Sequence, residues 1–325
     1  LYVVQVATGT VSQVATEPVY RPGAFADTTY SWSPDSKWLA YTSTSRAQIQ
    51  SAYLYSIDKQ QSFPITDGLS DVAEPVFDRN GKYLYLLAST DAGPVRDWFS
   101  QASADMRATS AIYLVVLKKG EPSPLAKESD EEKAQAEDKG QPTEPKPTAG
   151  TPAAPATDAA GAAKTGAAAV PTAPTVIDVD GLATRIVALP VPAGEYSGLQ
   201  TGETGKVFYL RTVDGKSSLQ LFDLKTRKAE TWVPAAEGYA VTADGKKLLY
   251  RNGSSFHVVV TSKKTDGAEG KVNVEAVQVR IDPQAEWPQI FDEAWRINRD
   301  YFYATNYHGR DWPAMKKKYA QFLPH

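Results

Sequence analysis

Apolar and polar residues alternate with a period of two over most of the chain, and the alternating runs come in pairs. Residues 31–43 (SWSPDSKWLAYTS), 75–89 (PVFDRNGKYLYLLAS), 199–211 (LQTGETGKVFYLR) and 240–251 (AVTADGKKLLYR) share one outline: an apolar strand, a turn and a second alternating strand. Their turns are Asp35-Ser36-Lys37, Asn80-Gly81-Lys82, Thr204-Gly205-Lys206 and Asp244-Gly245-Lys246. Asn-Gly and Asp-Gly supply the positive φ that a tight hairpin demands. Each hairpin is followed by a strand rich in Val, Leu and Tyr (52–57, 112–117, 219–224, 256–260) and then by a short fourth strand such as 62–66. The turn lysines are 45 residues apart in the first pair and 40 in the last. Four strands per repeat of that length predict the blades of a β-propeller. With residues 1–14 as the closing strands of an earlier blade, the expectation is all-β: an incomplete propeller of four antiparallel four-stranded blades plus a remnant, over residues 1–281.

After Asp282-Pro283 the period changes to that of a helix. Trp287, Ile290, Phe291, Ala294, Ile297 and Tyr301 share helical spacing, with a start expected at about Pro288. The loop 306–310 leads to Asp311, a suitable N-cap. A second helix then places Met315, Tyr319 and Phe322 on one face and Lys316, Lys317 and Lys318 toward solvent, with Pro324 as its stop. Residues 282–325 are therefore expected to be a short α-helical segment that opens a further domain. The chain starts inside a strand with no initiator Met, so it is read as a fragment whose propeller begins upstream and whose helical domain continues past His325.

Composition changes this picture at one place. Residues 126–175 hold none of the 7 Trp, 17 Tyr and 10 Phe, and are rich in Ala, Pro and Thr after a charged run from Glu128 to Lys133. Such a stretch buries too little apolar surface to offset roughly 1–2 kcal/mol of backbone ordering per residue, so a disordered insertion is expected. Lys82 and Lys206 are far enough apart to accommodate it and an enlarged loop at 91–109. The 35 basic and 38 acidic residues leave a net charge of −3, which gives no global attraction to nucleic acid or anionic lipid. The apolar run 112–117 falls far short of the roughly 18–20 residues of a spanning helix, so no membrane span is expected. The absence of Cys excludes disulfides, thiolate metal sites and a cysteine nucleophile.

The candidates for chemistry are few. His257 alternates within a strand and reads as structural or solvent-facing; His308 lies in an exposed loop; His325 is terminal. Gly68-Leu69-Ser70-Asp71-Val72 and Gly215-Lys216-Ser217-Ser218-Leu219 approach a nucleophile elbow, but both lack the closing glycine. There is no H-E-x-x-H, Walker loop or G-x-G-x-x-G. Asp178-Val179-Asp180-Gly181 has the start of a calcium loop, yet Leu189 stands where the bidentate Glu belongs. Asn252-Gly253-Ser254 reads as a plain turn, and Asp292-Glu293 as exposed helix charge beside a face claimed by Ile290, Phe291 and Ala294. Trp98 and Phe99, in the enlarged loop, are expected to pack back onto the sheet. No catalytic, cofactor-binding or metal-ligating residue is assigned, and no cofactor is expected.

The hairpin SPDSKWLAY (33–41) resembles the repeats of TolB-like and tricorn-like propellers. Residues 91–129, 179–200 and 282–303, with HGRDW at 308–312, are similar to bacterial tricorn proteases, a serine peptidase family with two propellers, a helical core segment, a PDZ domain and a second catalytic segment. The resemblance runs along the whole chain except the insertion. It implies the later part of the second propeller and the start of the first catalytic segment. It also implies peptide or unfolded-polypeptide substrates, a homo-oligomer and a cytoplasmic setting, although the Ala/Pro/Thr-rich insertion would also suit a periplasmic one. In the family the catalytic His follows the helix pair in an S-H or G-H-H motif and the Ser follows the PDZ domain. Neither motif occurs here, so no catalytic role is carried over. The alternatives are a noncatalytic TolB-like interaction module and a prolyl-oligopeptidase-like enzyme; the helical segment 282–325 argues against the first, and the second requires a G-x-S-x-G elbow.

Overall fold

A computed structural model describes residues 1–16, 29–46, 49–90, 109–126 and 174–323. Trp98, Phe99, Pro324 and His325 lie outside the described residues, as do the enlarged loop except Thr109 and the insertion except Ala126, Pro174 and Thr175. The chain divides into two compact units, Leu1–Val272 and Asn273–His325.

The first unit opens with a two-stranded antiparallel sheet, β1 (Tyr2–Gln5) and β2 (Thr10–Gln13). Four four-stranded antiparallel sheets follow, each a meander of neighbouring strands. Blade 1 is β3 (Tyr30–Trp32), β4 (Trp38–Thr44), β5 (Gln50–Ser56) and β6 (Gln61–Pro64). Blade 2 is β7 (Asp71–Phe77), β8 (Tyr83–Ser89), β9 (Ala111–Val116) and β10 (Ile186–Ala188). Blade 3 is β11 (Glu195–Thr201), β12 (Lys206–Val213), β13 (Lys216–Asp223) and β14 (Lys228–Val233), and blade 4 is β15 (Gly238–Val241), β16 (Lys247–Asn252), β17 (Ser255–Val260) and β18 (Lys271–Val272). This is the expected all-β propeller architecture. The first turn of each blade uses a left-handed residue: Ser36 (φ 60°), Gly81 (φ 68°), Gly205 (φ 76°) and Gly245 (φ 71°). Ser36 is carried there by Asp35, whose carboxylate accepts from Ser33 Oγ at 2.6 Å and from the Lys37 N–H at 3.1 Å.

Both long insertions belong to blade 2, one between β8 and β9 and the other between β9 and β10. The sheet is nonetheless completed, because β10 pairs with β9 through Ile186↔Val115 and Val187↔Leu114. Thr175 fixes the returning chain: its N–H donates to Asp35 Oδ2 at 2.8 Å, and its side chain fills the space a Cβ would need at Gly81.

Burial on both faces of the middle strands follows from stacking sheet on sheet. In β8, Leu84 and Leu86 enter a cluster with Ala52, Leu54 and Phe77 of blades 1 and 2, whereas Tyr85 and Leu87 enter one with Tyr209 and Phe222 of blade 3. Phe208, Leu219, Trp232, Leu248 and Tyr250 form the core between blades 3 and 4. Leu249, Val258 and Val260, on the other face of blade 4, are exposed.

The second unit is a helix pair. Helix α1 (Pro283–Tyr301) starts five residues before the position expected from Pro288, because Asp282 caps it by accepting from the Ala285 N–H and Pro283 supplies a preset first turn. Pro288 is inside the helix, at the loss of one backbone bond. Helix α2 (Trp312–Ala320) is capped by Asp311, as expected, through the Ala314 N–H at 3.0 Å, and ends before Phe322 and Pro324. The two helices meet through Trp295 and Trp312, stacked at 4.3 Å, with Phe291 beside Trp295 and Tyr307 on the other face of Trp312. The packed face is thus that of Phe291 and Trp295, while Ile290, expected to share it, is 59% exposed.

Candidate functional site: the inner strand wall

The first strands of the four blades, β3, β7, β11 and β15, neighbour one another in that order and form the inner wall of the arc. Their side chains bridge from each blade to the next. Thr29 Oγ1 and Ser31 Oγ accept from the N–H groups of Glu74 and Phe77 at 3.0 Å. A Glu74 carboxylate oxygen accepts from the Leu199 N–H at 2.6 Å, and Thr201 Oγ1 donates to the Phe77 carbonyl at 3.0 Å. Gln200 donates to the Tyr239 carbonyl and accepts from the Val241 N–H at 2.8 Å, while the Tyr239 hydroxyl donates to the Gly198 carbonyl. Strand starts therefore face strand starts and strand ends face strand ends, so the turns that follow lie on one rim.

Bulges make these bridges possible. Pairing shifts register between Ala73 and Val76 in β7 and between Ser197 and Gln200 in β11, with Glu74 (φ 51°) and Gly198 (φ 70°) left-handed at corresponding places. Glu74 takes a conformation that disfavours its Cβ, and its carboxylate bond to the next blade compensates. Burial, reinforced by the Glu74 charge, holds the Tyr239 phenol well above its usual value.

The rim contains the one carboxylate among the described residues that is 0% exposed, that of Asp78. Its carboxylate accepts from the Gly205 N–H of blade 3 at 2.9 Å, from the Asn80 N–H at 3.3 Å and from the Tyr85 hydroxyl at 3.4 Å. Burial raises the Asp78 carboxyl above its ordinary value, and these bonds with the neighbouring Arg79 charge offset only part of the rise. Burial, then the Asp78 charge, push the Tyr85 phenol up.

The residues singled out in the sequence are dispersed and do not assemble with one another. His257 is buried in β17, stacked on Tyr250 at 4.8 Å, with Nδ1 against the Glu269 carbonyl at 2.9 Å. His308 is exposed, in a left-handed turn with Tyr307, and its Nε2 meets the Tyr303 hydroxyl. Ser217 bonds Thr212 across its hairpin, and Ser70 lines a small cleft of about 170 Å3 between blades 1 and 2 with Thr66, Asp67 and Tyr113. Asp292 pairs with Lys316 at 2.8 Å and Glu293 with Arg296 at 2.6 Å. Asn252-Gly253 is the exposed turn between β16 and β17. Among the described residues no group of three or more His, Cys, Asp or Glu is placed to hold a metal ion.

At the calcium-like turn the cation is a side chain. The Arg185 guanidinium donates to the carbonyls of Val116 (2.9 Å), Leu117 (3.2 Å), Asp180 (2.9 Å) and Asp178, and the Asp178 carboxylate is occupied by the Lys119 N–H at 2.7 Å. Arg185→Met is expected to lower the unfolding free energy by about 2 kcal/mol, because charge-assisted bonds are lost from carbonyls at the end of β9. A urea titration reads this, and an unchanged midpoint would mean that water replaces the guanidinium without cost.

The inner wall, the stacked blades and the helix pair meet their counterparts in known proteins. The profile of the tricorn protease second beta propeller domain matches residues 1–262, and that of the tricorn protease C1 domain matches residues 283–325. The chain belongs to the tricorn protease family. Tricorn protease homolog 1 of Streptomyces coelicolor is 29% identical over 315 residues, covering 90% of this chain and 27% of the relative. A putative tricorn-like protease C-terminal subunit of Sulfurisphaera tokodaii is 24% identical over 306 residues, covering 90% of this chain and 31% of the relative. The crystal structure of the tricorn protease superposes with a TM-score of 0.70 at 18% identity, over 99% of this chain and 29% of that one. The chain thus spans between a quarter and a third of the length of these tricorn proteins, and this last likeness is one of fold.

Proposed function

We propose that this chain is part of a tricorn-type serine peptidase that degrades peptides, and that it contributes substrate access and not bond cleavage. Residues 1–281 form the propeller portion that gates or channels unfolded polypeptide, residues 126–175 are an insertion in it, and residues 282–325 open the catalytic core. The catalytic His and Ser lie beyond His325. The observation that carries this reading is the succession, in one chain, of a segment matching the second propeller domain and a segment matching the C1 domain. A wall of short strands locked by side-chain bridges is suited to sieving by size, since it admits an extended chain and resists widening for a folded one. With a net charge of −3 the selection is mainly steric. The parent enzyme works as a homo-oligomer in the cytoplasm, the periplasm being the alternative.

The test is a comparison of two proteins. Residues 1–325 alone are expected to cleave no unfolded peptide, whereas the full-length parent cleaves it and loses that activity to a serine-directed inhibitor. Inhibitor-sensitive cleavage by the pure 1–325 chain would overturn the placement of the active site. A full-length parent without such cleavage would overturn the peptidase reading.

A further inference from the structure

The four rim turns occupy equivalent places but are not built alike. Ser33, Asp78, Gly202 and Thr242 each follow an inner strand, and each donates its N–H at 2.9 Å to the first carbonyl of the next strand or its equivalent (Trp38, Tyr83, Lys206 and Lys247). In blade 1, Ser33 Oγ serves its own turn, donating to Asp35 and accepting from the Trp38 N–H at 2.9 Å. In blade 4, Thr242 Oγ1 does the same with Asp244 and the Lys247 N–H. In blade 2 the corresponding side chain also reaches out of its blade: besides the Asn80 N–H of its own turn, Asp78 accepts from the Gly205 N–H of blade 3. In blade 3 the position has no side chain, and a Cβ at Gly202 would stand 2.7 Å from the Phe208 ring.

Arg79 completes the asymmetry. Its Nε donates to the Gly202 carbonyl of blade 3, and its Nη2 donates to the Thr242 carbonyl of blade 4 at 3.1 Å. One side chain thus joins three consecutive blades along the rim. Blade 4 makes room for it, because a Cβ at Gly245 would lie 2.8 Å from both Arg79 Nε and the Gly202 oxygen. A guanidinium suits the place, since its fixed fork addresses two carbonyls at once where an ammonium reaches them singly.

We infer that Asp78 and Arg79 form a clasp that ties the turns of blades 2, 3 and 4 and sets the width of the opening on that rim. Asp78 draws in the turn of blade 3 from beneath, by its N–H, and Arg79 holds the turns of blades 3 and 4 by their carbonyls. Blade 1 shares in none of these bonds. The consequence for substrate rests on the peptidase reading: an extended linear peptide passes either way, whereas a peptide with a looped or branched cross-section is excluded only while the clasp is closed.

Two experiments separate the clasp from that reading. In residues 1–325, Arg79→Met is expected to speed amide exchange about tenfold in the turns 203–206 and 243–246 and to leave 33–37 unchanged, with Arg79→Lys intermediate. Equal exchange in variant and wild type, or a rise that includes 33–37, overturns the clasp. Arg79→Gln, whose shorter polar head cannot span the Gly202 and Thr242 carbonyls together, gives a second route to the same pattern should Arg79→Met fold poorly. In the full-length parent, Arg79→Met is expected to raise several-fold the cleavage rate of a disulfide-looped peptide relative to its reduced, linear form. An unchanged ratio beside raised exchange overturns the aperture role. A wild-type parent that cleaves neither peptide overturns the peptidase reading, and the exchange pattern still decides the clasp.

Discussion

Phe208→Ala is expected to lower the unfolding free energy of the propeller unit by about 3–5 kcal/mol, the range for truncating a fully buried aromatic. Phe208 is 0% exposed at the centre of the core between blades 3 and 4. Its ring meets Trp232 edge-on at 6.1 Å and Tyr239 at 6.5 Å, and it lies against the backbone of Gly202. Removing the ring leaves a cavity that rigid neighbours cannot fill. Leu248 and Tyr250 sit on a strand paired on both sides, and Trp232 is at the end of β14. At roughly 2–4 °C per kcal/mol for a unit of this size, the melting temperature falls by about 10 °C. Because the lost contacts join two blades, amide exchange should rise first in β15 and β16 and last in β4 and β5. A drop of less than about 1 kcal/mol, or exchange rising evenly across all blades, would show that this core does not hold the blades together.

How much of this was legible in the sequence depends on how local each signal is. The blades are legible because each is a meander closed by short turns, so Gly81, Gly205 and Gly245 announce their left-handed positions and alternation does the rest. The fourth strand of blade 2 escaped, because β10 is three residues long and separated from its partner β9 by the insertion, which interrupts the repeat that would have located it. Helix α1 was expected late because Pro288 looked like a first-turn residue, while the Asp282-Pro283 pair carried the stronger capping signal. The left-handed Glu74 was hidden for another reason: nothing in its residue type marks a bulge, and the bond that holds it comes from residue 199. Asp78 and Arg79 stand just before the Asn80-Gly81 turn, and nothing in their residue types marks a role outside their own blade. Their roles depend on Gly202, Gly205 and Thr242, more than a hundred residues away. Contacts between blades leave no periodic trace.

Asp78 also carries the other large expected effect. Asp78→Ala removes the acceptor from the Gly205 and Asn80 N–H groups and from the Tyr85 hydroxyl, at a position with no access to water. Orphaned buried donors cost about 1–3 kcal/mol each, so a loss of about 3–5 kcal/mol is expected after allowing for the charge that is no longer buried. Asp78→Asn keeps an acceptor and the volume while discarding the charge, so it should cost less than half as much. The two variants also part in their response to pH. Burial raises the folded carboxyl above its unfolded value near 3.8, so the folded chain binds that proton more tightly than the unfolded chain. Its contribution to stability is then fully present below the unfolded value and is lost as pH rises through the raised folded value. Wild type should therefore gain on Asp78→Asn as pH is lowered from neutrality toward 3.8, and the gap should stay level below it. Urea titrations of both proteins across that range measure the difference. A gap that moves the opposite way would mean that the Arg79 charge and the three hydrogen bonds outweigh burial, making Asp78 a stabilising anion at neutral pH instead of a buried charge retained for the bond it makes to the next blade.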